Sequence, residues 1–340
     1  MDIECFNYHL PEKLIAQTPP EQREMSRLLV LNKTTGEIKD QTFFNILDYL
    51  TPNDVLVRNN TRVIPARLYG MKKVTNGKVE VLLLKDLTNN RYECLLGNAR
   101  IVKQGTEIIF SIKLSAICRE VLSEGRRILE FFYEGIFLER LEEIGEMPLP
   151  PYIKTKLLNQ ERYQTVYAKV PGSAAAPTAG FHFSEALLKA IEAKGITIVD
   201  ITLEVGLGTF KPVKAQDTTA HIMHHETYSI NEAAAEALNA AKRDHKRIIA
   251  IGTTSVRTLE ANYQEFNMFK AGNYETGIFI TPGYRFQAVD AMITNFHLPK
   301  TTLLMLVSAF ASRELILKSY QHAIKQEYRF FSFGDAMFIY

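Results

Sequence analysis

The pattern of hydrophobic and polar positions divides the chain into three stretches. In the middle stretch, residues 67–134, short runs alternate apolar and polar residues, and turn pairs such as Asn76-Gly77 and Glu124-Gly125 separate them. Several strands at this spacing, with no helix between them, indicate an antiparallel barrel or sandwich. A helix is predicted at residues 137–144, and the proline-rich residues 148–151 form a stiff linker.

The first and last stretches favour strands that alternate with helices. Helices are predicted near residues 11–17 and 43–49, after the capping residues Ser184 and Asn231, in the segment containing Leu259, and at 302–311 and 315–326. Strands are predicted at residues 27–32, 54–58, 196–203, 247–251, 278–281 and 291–294. This alternation implies a mainly α/β sheet. We therefore predict one α/β (mixed α+β) domain built from both chain ends, residues 1–65 and 149–340, with an antiparallel β-barrel domain inserted at residues 66–148.

Composition favours a reduced, cytoplasmic enzyme without a membrane segment. The 340 residues, 46% of them hydrophobic, suffice for about two domains of ~150 residues. No window approaches the roughly 18 consecutive apolar residues that span a bilayer. Cys5, Cys94 and Cys118 are odd in number and widely separated, which suits neither a disulfide framework nor a metal site. With a net charge of only +2, nucleic-acid binding would depend on local basic patches, one of which contains Arg62.

Residues 163–183 have the composition of a small-molecule pocket. Small and apolar residues dominate the segment, and prolines and glycines interrupt it. A residue such as Gly180 lets a ligand approach the backbone, while Ser173, Thr178 and His182 supply polar groups in an apolar setting. A tightly packed connector between two domains explains the same composition, and the segment alone does not separate the two interpretations.

The segment Glu204-Val205-Gly206-Leu207-Gly208-Thr209-Phe210 follows a predicted strand and is similar to a nucleotide-binding loop. The third glycine of the dinucleotide fingerprint is absent, because Phe210 occupies that region. We interpret the segment as a glycine-rich loop at the end of a strand, with Gly206 and Gly208 next to ligand.

His221, His224, His225 and Glu226 form a cluster with two chemical interpretations. Imidazoles and a carboxylate at this density are zinc ligands in many proteins, yet the spacing is not that of a His-Glu-x-x-His site. An acid/base group, with one histidine oriented by Glu226, is favoured over a metal site. Ordinary loop histidines account for the pattern equally well.

Polar side chains also follow two other predicted strands. Thr253, Thr254 and Ser255 come at a strand-to-helix turn, a geometry typical of anion sites, with helix capping as the simpler explanation. Arg257, one turn later, is suited to a bidentate carboxylate contact. Asn295 and His297 follow the next strand. Because ligands of open α/β sheets collect at the carboxyl ends of strands, we expect Gly206, Thr253 and Asn295 to share one cleft.

Eight segments in this order resemble the S-adenosylmethionine:tRNA ribosyltransferase-isomerases of queuosine biosynthesis. They include Ala-Pro-Thr-Ala-Gly-Phe-His-Phe at residues 176–183 and Gly-Thr-Thr-Ser-Val-Arg-Thr-Leu-Glu at 252–260. The other six are residues 10–17, 59–68, 147–153, 161–167, 293–300 and 328–337. Together they extend the resemblance over nearly the whole chain.

The resemblance implies a particular reaction. The ribosyl moiety of S-adenosylmethionine is transferred to 7-aminomethyl-7-deazaguanine at the tRNA wobble position and isomerised, giving epoxyqueuosine-tRNA with release of adenine and methionine. It also implies an α/β domain with an inserted barrel, and no metal or other cofactor, since S-adenosylmethionine is consumed as a substrate. The expected partners are the precursor-bearing tRNA and S-adenosylmethionine, and a monomer is expected.

The resemblance also suggests site residues. Glu204 stands where the family usually has histidine before Val-Gly-Leu-Gly-Thr-Phe, so the catalytic prediction rests on other side chains: His182, His224, His297 and Glu226. Glu226 or Glu204 would balance the sulfonium charge, and Arg257 would hold the methionine carboxylate. The predicted substrate-binding residues are Arg62, Ser173, Thr178, Gly180, Gly206, Gly208, Thr253, Thr254, Ser255, Arg257 and Asn295.

Two other functions remain open at this point. A tRNA-binding protein without catalysis would explain the altered Glu204. A conventional S-adenosylmethionine-dependent RNA methyltransferase is suggested only by the Glu-x-Gly-x-Gly segment.

Overall fold

A computed structural model describes residues 1–206, 217–218, 223 and 225–340. Contacts among these residues divide the chain into two compact units. The first consists of Met1–Arg62, Pro151–Val170 and Ala176–Tyr340, and the second of Val63–Pro150 and Pro171–Ala175. The predicted fold class, a mixed α/β domain from both chain ends with an inserted antiparallel barrel, is confirmed. Among the described helices, none has both the length and the apolar character needed to span a bilayer.

The regular elements of the described residues are short strands and helices. The strands are β1 (Arg27–Leu31), β2 (Ile38–Thr42), β3 (Asp54–Asn59), β4 (Thr61–Val63), β5 (Arg67–Lys72), β6 (Lys78–Asp86), β7 (Arg91–Gly97), β8 (Glu107–Ser111), β9 (Leu114–Val121), β10 (Arg126–Tyr133), β11 (Val170–Ser173), β12 (Thr197–Leu203), β13 (Glu226–Ile230), β14 (Arg247–Ile251), β15 (Gly272–Thr276), β16 (Ala291–Asn295) and β17 (Ala336–Ile339). The helices are α1 (Phe137–Ile144), α2 (Glu185–Ala193), α3 (Glu232–Arg243), α4 (Gly252–Phe266), α5 (Thr302–Phe310) and α6 (Arg313–Lys325).

The first unit is built on a mixed sheet. As far as the chain is described, nine strands follow the order β15-β13-β12-β3-β14-β16-β17-β1-β2. The four neighbours β12, β3, β14 and β16 are parallel, so their carboxyl ends meet at one edge. Runs such as Ile248–Ile251 are fully buried, as expected for strands covered on both faces. The strand β17 pairs with β16 on one side and with β1 on the other.

Side chains at the ends of the helices fix where several of them begin. Ser184 and Asn231 accept hydrogen bonds from the main-chain N–H groups of Leu187 (3.1 Å) and Ala234 (2.8 Å), so the predicted caps of α2 and α3 are present. In α2, Leu187 and Ile191 are buried in the core beside the sheet. These caps and buried faces hold the helices against the strands.

The helix α4 follows β14 without a connecting loop. Its carboxylate Glu260 is fully buried and accepts hydrogen bonds from the main-chain N–H groups of Gln287, Ala288 and Val289, at 2.9–3.0 Å. The hydroxyl of Tyr284 also donates to it. A buried carboxylate with this many donors is well satisfied and orders the segment that donates to it. The middle of α4 is therefore anchored to residues 287–289.

The second unit contains the closed antiparallel barrel β10-β7-β6-β5-β8-β9 within the described residues. Alternate side chains point inward, and Val79, Val81 and Phe131 are among those buried. Cys94 and Cys118 are free thiols in this unit, and burial raises the pKa of each. The two thiols are therefore protonated near pH 7.

The structure corrects some of the predicted elements. Residues 278–281 are not a strand, because β15 ends at Thr276 and the N–H of Ile278 bonds the Thr276 hydroxyl (3.0 Å) instead of a neighbouring strand. The helix expected near residues 11–17 is a single turn, Glu12–Leu14. Short apolar runs do not distinguish a strand from a buried loop, which explains the first error.

Candidate functional site

One pocket of the first unit lies at the carboxyl ends of the parallel strands. Residues that follow β12, β14 and β16 contribute to its wall. The cavity volume is about 60 Å³. This volume is smaller than the roughly 300–1,000 Å³ of typical small-molecule sites. The lining consists of residues 152, 176–179, 205, 252–254, 294–298, 301, 303, 331 and 332.

Small residues bring the chain close to itself beside the pocket. Ala176–Ala179 form part of the wall, and Gly180 follows them. A Cβ built on Gly180 would lie 2.0 Å from the Tyr167 hydroxyl oxygen and 2.7 Å from Thr165 Cγ2. Only glycine tolerates this approach without displacement of its neighbours. The small residue at position 180 therefore serves packing behind the wall, while Thr178 faces the pocket.

Asn295 connects three segments at the pocket. Its side-chain oxygen accepts a hydrogen bond from the Thr178 hydroxyl (2.8 Å). Its amide nitrogen donates to the main-chain oxygen of Phe331 (3.3 Å) and to Nε2 of His182 (3.1 Å). The residue is 4% exposed. Asn295 thus has a fixed orientation and holds the segments around residues 178 and 331 together at the end of β16.

His182 lies behind Asn295 and is absent from the lining of this pocket. Its Nδ1 is 2.7 Å from the Ser26 hydroxyl, which in turn donates to the Arg23 carbonyl, so Nδ1 carries the proton. Burial, with Arg329 and Arg23 nearby, lowers the pKa of His182 to about 3. The imidazole is therefore neutral near pH 7, and both of its nitrogens are hydrogen-bonded. A catalytic role for His182 stays a prediction, and the geometry favours the positioning of Asn295.

His297 is the predicted catalytic histidine that lines the pocket. Its Nε2 is 2.8 Å from the Thr294 hydroxyl, and its main-chain N–H donates to the Tyr320 hydroxyl (2.9 Å). Burial lowers the pKa of His297 to about 3. A neutral imidazole accepts a proton, but one with this pKa is a weak base at neutral pH. His297 is therefore suited to hydrogen bonding with a ligand or to brief proton transfer.

The two neutral histidines predict a specific loss of stability in acid. Their folded pKa, about 3, lies below the unfolded value of 6.5, so their contribution is complete above pH 6.5 and is lost as pH falls towards 3. The unfolded chain binds protons that the folded chain does not. We expect about 2 kcal/mol of unfolding free energy to be lost per histidine between pH 7 and pH 5. Urea unfolding at the two pH values measures this difference.

Single variants assign that loss to the two residues. His182→Gln and His297→Gln should each reduce the difference between pH 7 and pH 5 by about half of the histidine contribution. The same change at the exposed His9 is the control. If both variants kept the full pH dependence of the unaltered protein, the two imidazoles would not be the neutral buried groups described above.

The first turn of α4 forms another side of the pocket. Gly252 has φ +85°, a conformation that favours glycine, and Thr253 and Thr254 follow it on the lining. The Thr254 hydroxyl is buried and has no hydrogen-bond partner within the described part of the chain. Ser255 differs, since its hydroxyl donates to the Ile251 carbonyl (2.8 Å) and it is fully buried. Thr253 and Thr254 are therefore the two of these residues that reach the pocket.

Glu226 and Arg257 form a buried ion pair near the lining residue Val205. Their side chains are 5% and 6% exposed. One Glu226 oxygen accepts from the guanidinium of Arg257, and the other accepts from the main-chain N–H of Gly206 (3.2 Å). Arg257 Nε and Nη2 are buried and have no partner within the described ranges. The pair joins the chain after β12 to β13 and α4, and neither residue lines the pocket.

The pocket unites some of the predicted site residues and leaves others elsewhere. Thr178, Thr253, Thr254, Asn295 and His297 line it together. Arg62 forms an ion pair with Glu161, with 3.2 Å between Nη1 and Oε2. Ser173, assigned to the second unit, is buried and donates to the Ala175 carbonyl (2.7 Å).

Parts of the glycine-rich and histidine motifs fall in the gaps of the structure. Gly208, His221 and His224 lie outside the described residues. Where the chain is described, no group of three or more His, Cys, Asp or Glu side chains is placed to hold a metal ion. Because His221 and His224 lie outside the described residues, the zinc interpretation of the histidine cluster stays a hypothesis.

Sequence reasoning missed an aromatic wall of the pocket. Tyr152 and Phe331 both line it, with ring centroids 4.9 Å apart, and the Tyr152 hydroxyl is 2.7 Å from that of Ser332. Phe331 has φ +71°, an unfavourable conformation for a bulky residue that concentrates at functional sites. Both residues belong to segments that carried the resemblance, but nothing in their spacing placed them at the pocket.

Comparison with known proteins agrees with these observations over the full length. The model of a family described as queuosine biosynthesis protein matches residues 3–339. The crystal structure of an S-adenosylmethionine tRNA ribosyltransferase from Thermotoga maritima is similar, with 35% sequence identity and a TM-score of 0.57. The match covers 99% of this chain and 100% of that one. The family resemblance inferred from the eight segments is thereby confirmed.

Proposed function

The chain belongs to the queuosine biosynthesis protein family, and from that premise we propose that it is a transferase-isomerase acting on S-adenosylmethionine and tRNA. It transfers the ribosyl moiety of S-adenosylmethionine to 7-aminomethyl-7-deazaguanine at the tRNA wobble position and isomerises it. The products are epoxyqueuosine-tRNA, adenine and methionine.

The observation that carries this proposal is the full-length similarity to the Thermotoga maritima ribosyltransferase. At 35% identity over 99% of the chain, the likeness includes the segments that build the pocket. The pocket also has the character that the reaction needs, because its wall is mostly small or apolar and only a few oriented polar groups reach it. Such a wall keeps water away from a reactive sulfonium intermediate.

The chemistry requires a proton to leave the carbon beside the sulfonium, whose charge makes that carbon more acidic. The amine of the deazaguanine must be neutral when it attacks. His297 is the candidate proton acceptor on the pocket wall. Glu226 is a candidate carboxylate, because it accepts a hydrogen bond from the main-chain N–H of Gly206, next to the lining residue Val205. Asn295, held by His182, fixes the wall against which the substrate is oriented. The proposal requires no metal or organic cofactor.

One assay tests the proposed reaction against the two other functions. The protein is incubated with S-adenosylmethionine and tRNA bearing the deazaguanine precursor, and the small-molecule products are separated. We expect adenine and methionine in equal amounts, dependent on the precursor base. Release of S-adenosylhomocysteine would instead establish a methyltransferase, and tRNA binding without any product would establish a binding protein.

The proposed binding of tRNA predicts an affinity that depends on salt concentration. If the tRNA backbone is held by basic side chains, the logarithm of the affinity should fall linearly with the logarithm of salt concentration. Filter binding at several salt concentrations measures the slope. An affinity independent of salt would contradict a phosphate-contacting interface.

A further inference from the structure

We propose that the first turn of α4 is the subsite for the amino-acid carboxylate of the substrate, with the Thr254 hydroxyl as its side-chain donor. This inference rests on the function proposed above, in which S-adenosylmethionine is the ligand. It assigns to Thr254 the contact that the sequence had suggested for Arg257.

Among the described residues, no side chain caps the free N–H groups at the start of α4. Its N-cap residue is Ile251, which has no polar side chain, whereas Ser184, Asn231 and Thr301 cap α2, α3 and α5 through their side chains. The 15-residue helix begins at Gly252, and residues 252–254 line the pocket. Unsatisfied N–H groups and the helix dipole favour a negative group at this position.

The Thr254 hydroxyl is an independent indication of a ligand. It belongs to a residue that is 8% exposed and lines the pocket, and it is itself buried without a partner among the described residues. Buried hydroxyls are normally hydrogen-bonded, so an unpaired one beside a cavity is explained by an acceptor that arrives with the ligand. A carboxylate oxygen supplies that acceptor.

The sign of charge selects which end of the substrate binds here. S-adenosylmethionine carries a sulfonium and an ammonium, both positive, and a carboxylate as its sole anionic group. The amino end of a helix repels the first two and attracts the third. The carboxylate is therefore the group that fits the first turn of α4, which also fixes the direction of the methionine chain in the pocket.

In this proposal Arg257 is not the direct carboxylate contact, because its surroundings favour another role. Its guanidinium is 6% exposed, is already paired with Glu226, and does not line the pocket. Through Glu226 it holds the main-chain N–H of Gly206, next to the lining residue Val205. Arg257 is thus a positioning residue in this description.

The test compares S-adenosylmethionine with its decarboxylated analogue, which keeps the sulfonium and the nucleoside but lacks the carboxylate. Both are titrated calorimetrically into the unaltered protein and into Thr254→Val, an isosteric change that removes only the hydroxyl. We expect Thr254→Val to weaken S-adenosylmethionine binding by about 10- to 100-fold, as for a hydrogen bond to a charged group. Binding of the decarboxylated analogue should be unchanged, and Thr254→Ser should restore the affinity for S-adenosylmethionine.

Thr258→Val is the matched control. Thr258 lies one turn further along α4, and its hydroxyl is also buried and unpartnered in the described part of the chain, but it does not line the pocket. The same substitution there should leave both affinities unchanged. Equal weakening of both ligands by Thr254→Val, or no weakening of either, would overturn the subsite while leaving the proposed function intact. Failure of the unaltered protein to bind S-adenosylmethionine would contradict the proposed function and the subsite together.

Discussion

Replacing Arg257 with leucine is expected to lower the free energy of unfolding by about 3–5 kcal/mol, the cost typical of removing one partner from a buried ion pair. Arg257 and Glu226 are 6% and 5% exposed, so water cannot replace the lost partner. Glu226 would be left buried with its charge uncompensated. Glu226 also accepts a hydrogen bond from the main-chain N–H of Gly206, which follows the pocket-lining residue Val205. Because a disturbed Glu226 would displace this part of the wall, we expect adenine release to fall as well. Urea unfolding and the adenine assay measure the two effects.

The double variant Arg257→Leu/Glu226→Leu separates the ion pair from general packing. Removing both charges should cost less stability than removing Arg257 alone, since no unpaired charge remains. Lys13→Met is the exposed control, because Lys13 pairs with Glu327 at 2.7 Å on the surface and both side chains are mostly exposed. An Arg257→Leu protein as stable as the unaltered one would show that the pair does not hold the charges as described.

The second large effect is expected for Gly180→Ala. The added methyl group would lie 2.0 Å from the Tyr167 hydroxyl and 2.7 Å from Thr165 Cγ2, well inside van der Waals contact. Overpacking of this kind typically costs about 1–3 kcal/mol. Gly180 directly follows the lining residues Thr178 and Ala179. A shift of the main chain at residue 180 would therefore also move the pocket wall. Thermal unfolding should show a lower midpoint, and adenine release should decrease.

Tyr167→Phe provides the control for that overlap. The Tyr167 hydroxyl is buried without a hydrogen-bond partner among the described residues, so its removal alone should be neutral or stabilising. Combined with Gly180→Ala, it removes the closest contact and should recover part of the lost stability. If Gly180→Ala matched the unaltered protein in both stability and turnover, the close approach at this glycine would have no structural importance.

Much of the fold was predictable because local patterns and tertiary structure agree. The alternation of strands between residues 67 and 134 predicted a barrel, and the capping residues Ser184 and Asn231 marked the starts of α2 and α3. The order of strands in the large sheet was not predictable, because it depends on contacts between distant parts of the chain. The last strand, β17, pairs with the first, β1, as well as with β16. No local period carries that information.

The candidate site was predictable where a residue follows a parallel strand. Thr253, Asn295 and His297 lie at the carboxyl ends of β14 and β16 and line one pocket. Ligands of open α/β sheets usually bind at these ends, which is why the sequence indicated a shared site. The surroundings of His182 could not be predicted in the same way, because its hydrogen-bond partners, Ser26 and Asn295, are distant from it in sequence. Phe331 was missed for a similar reason, because its position depends on a backbone conformation that its side chain disfavours.

The position of β17 between β16 and β1 has a consequence for how the protein is made. Leu28 of β1 pairs with Ala336, so about 300 residues must follow the first strand before its parallel partner β17 exists. At a translation rate of roughly 5–20 residues per second, β1 waits on the order of 15–60 s. Until then β1 and β16 each present an unpaired edge, the feature that recruits other strands in aggregation. Chaperone demand during synthesis should therefore be high for this protein.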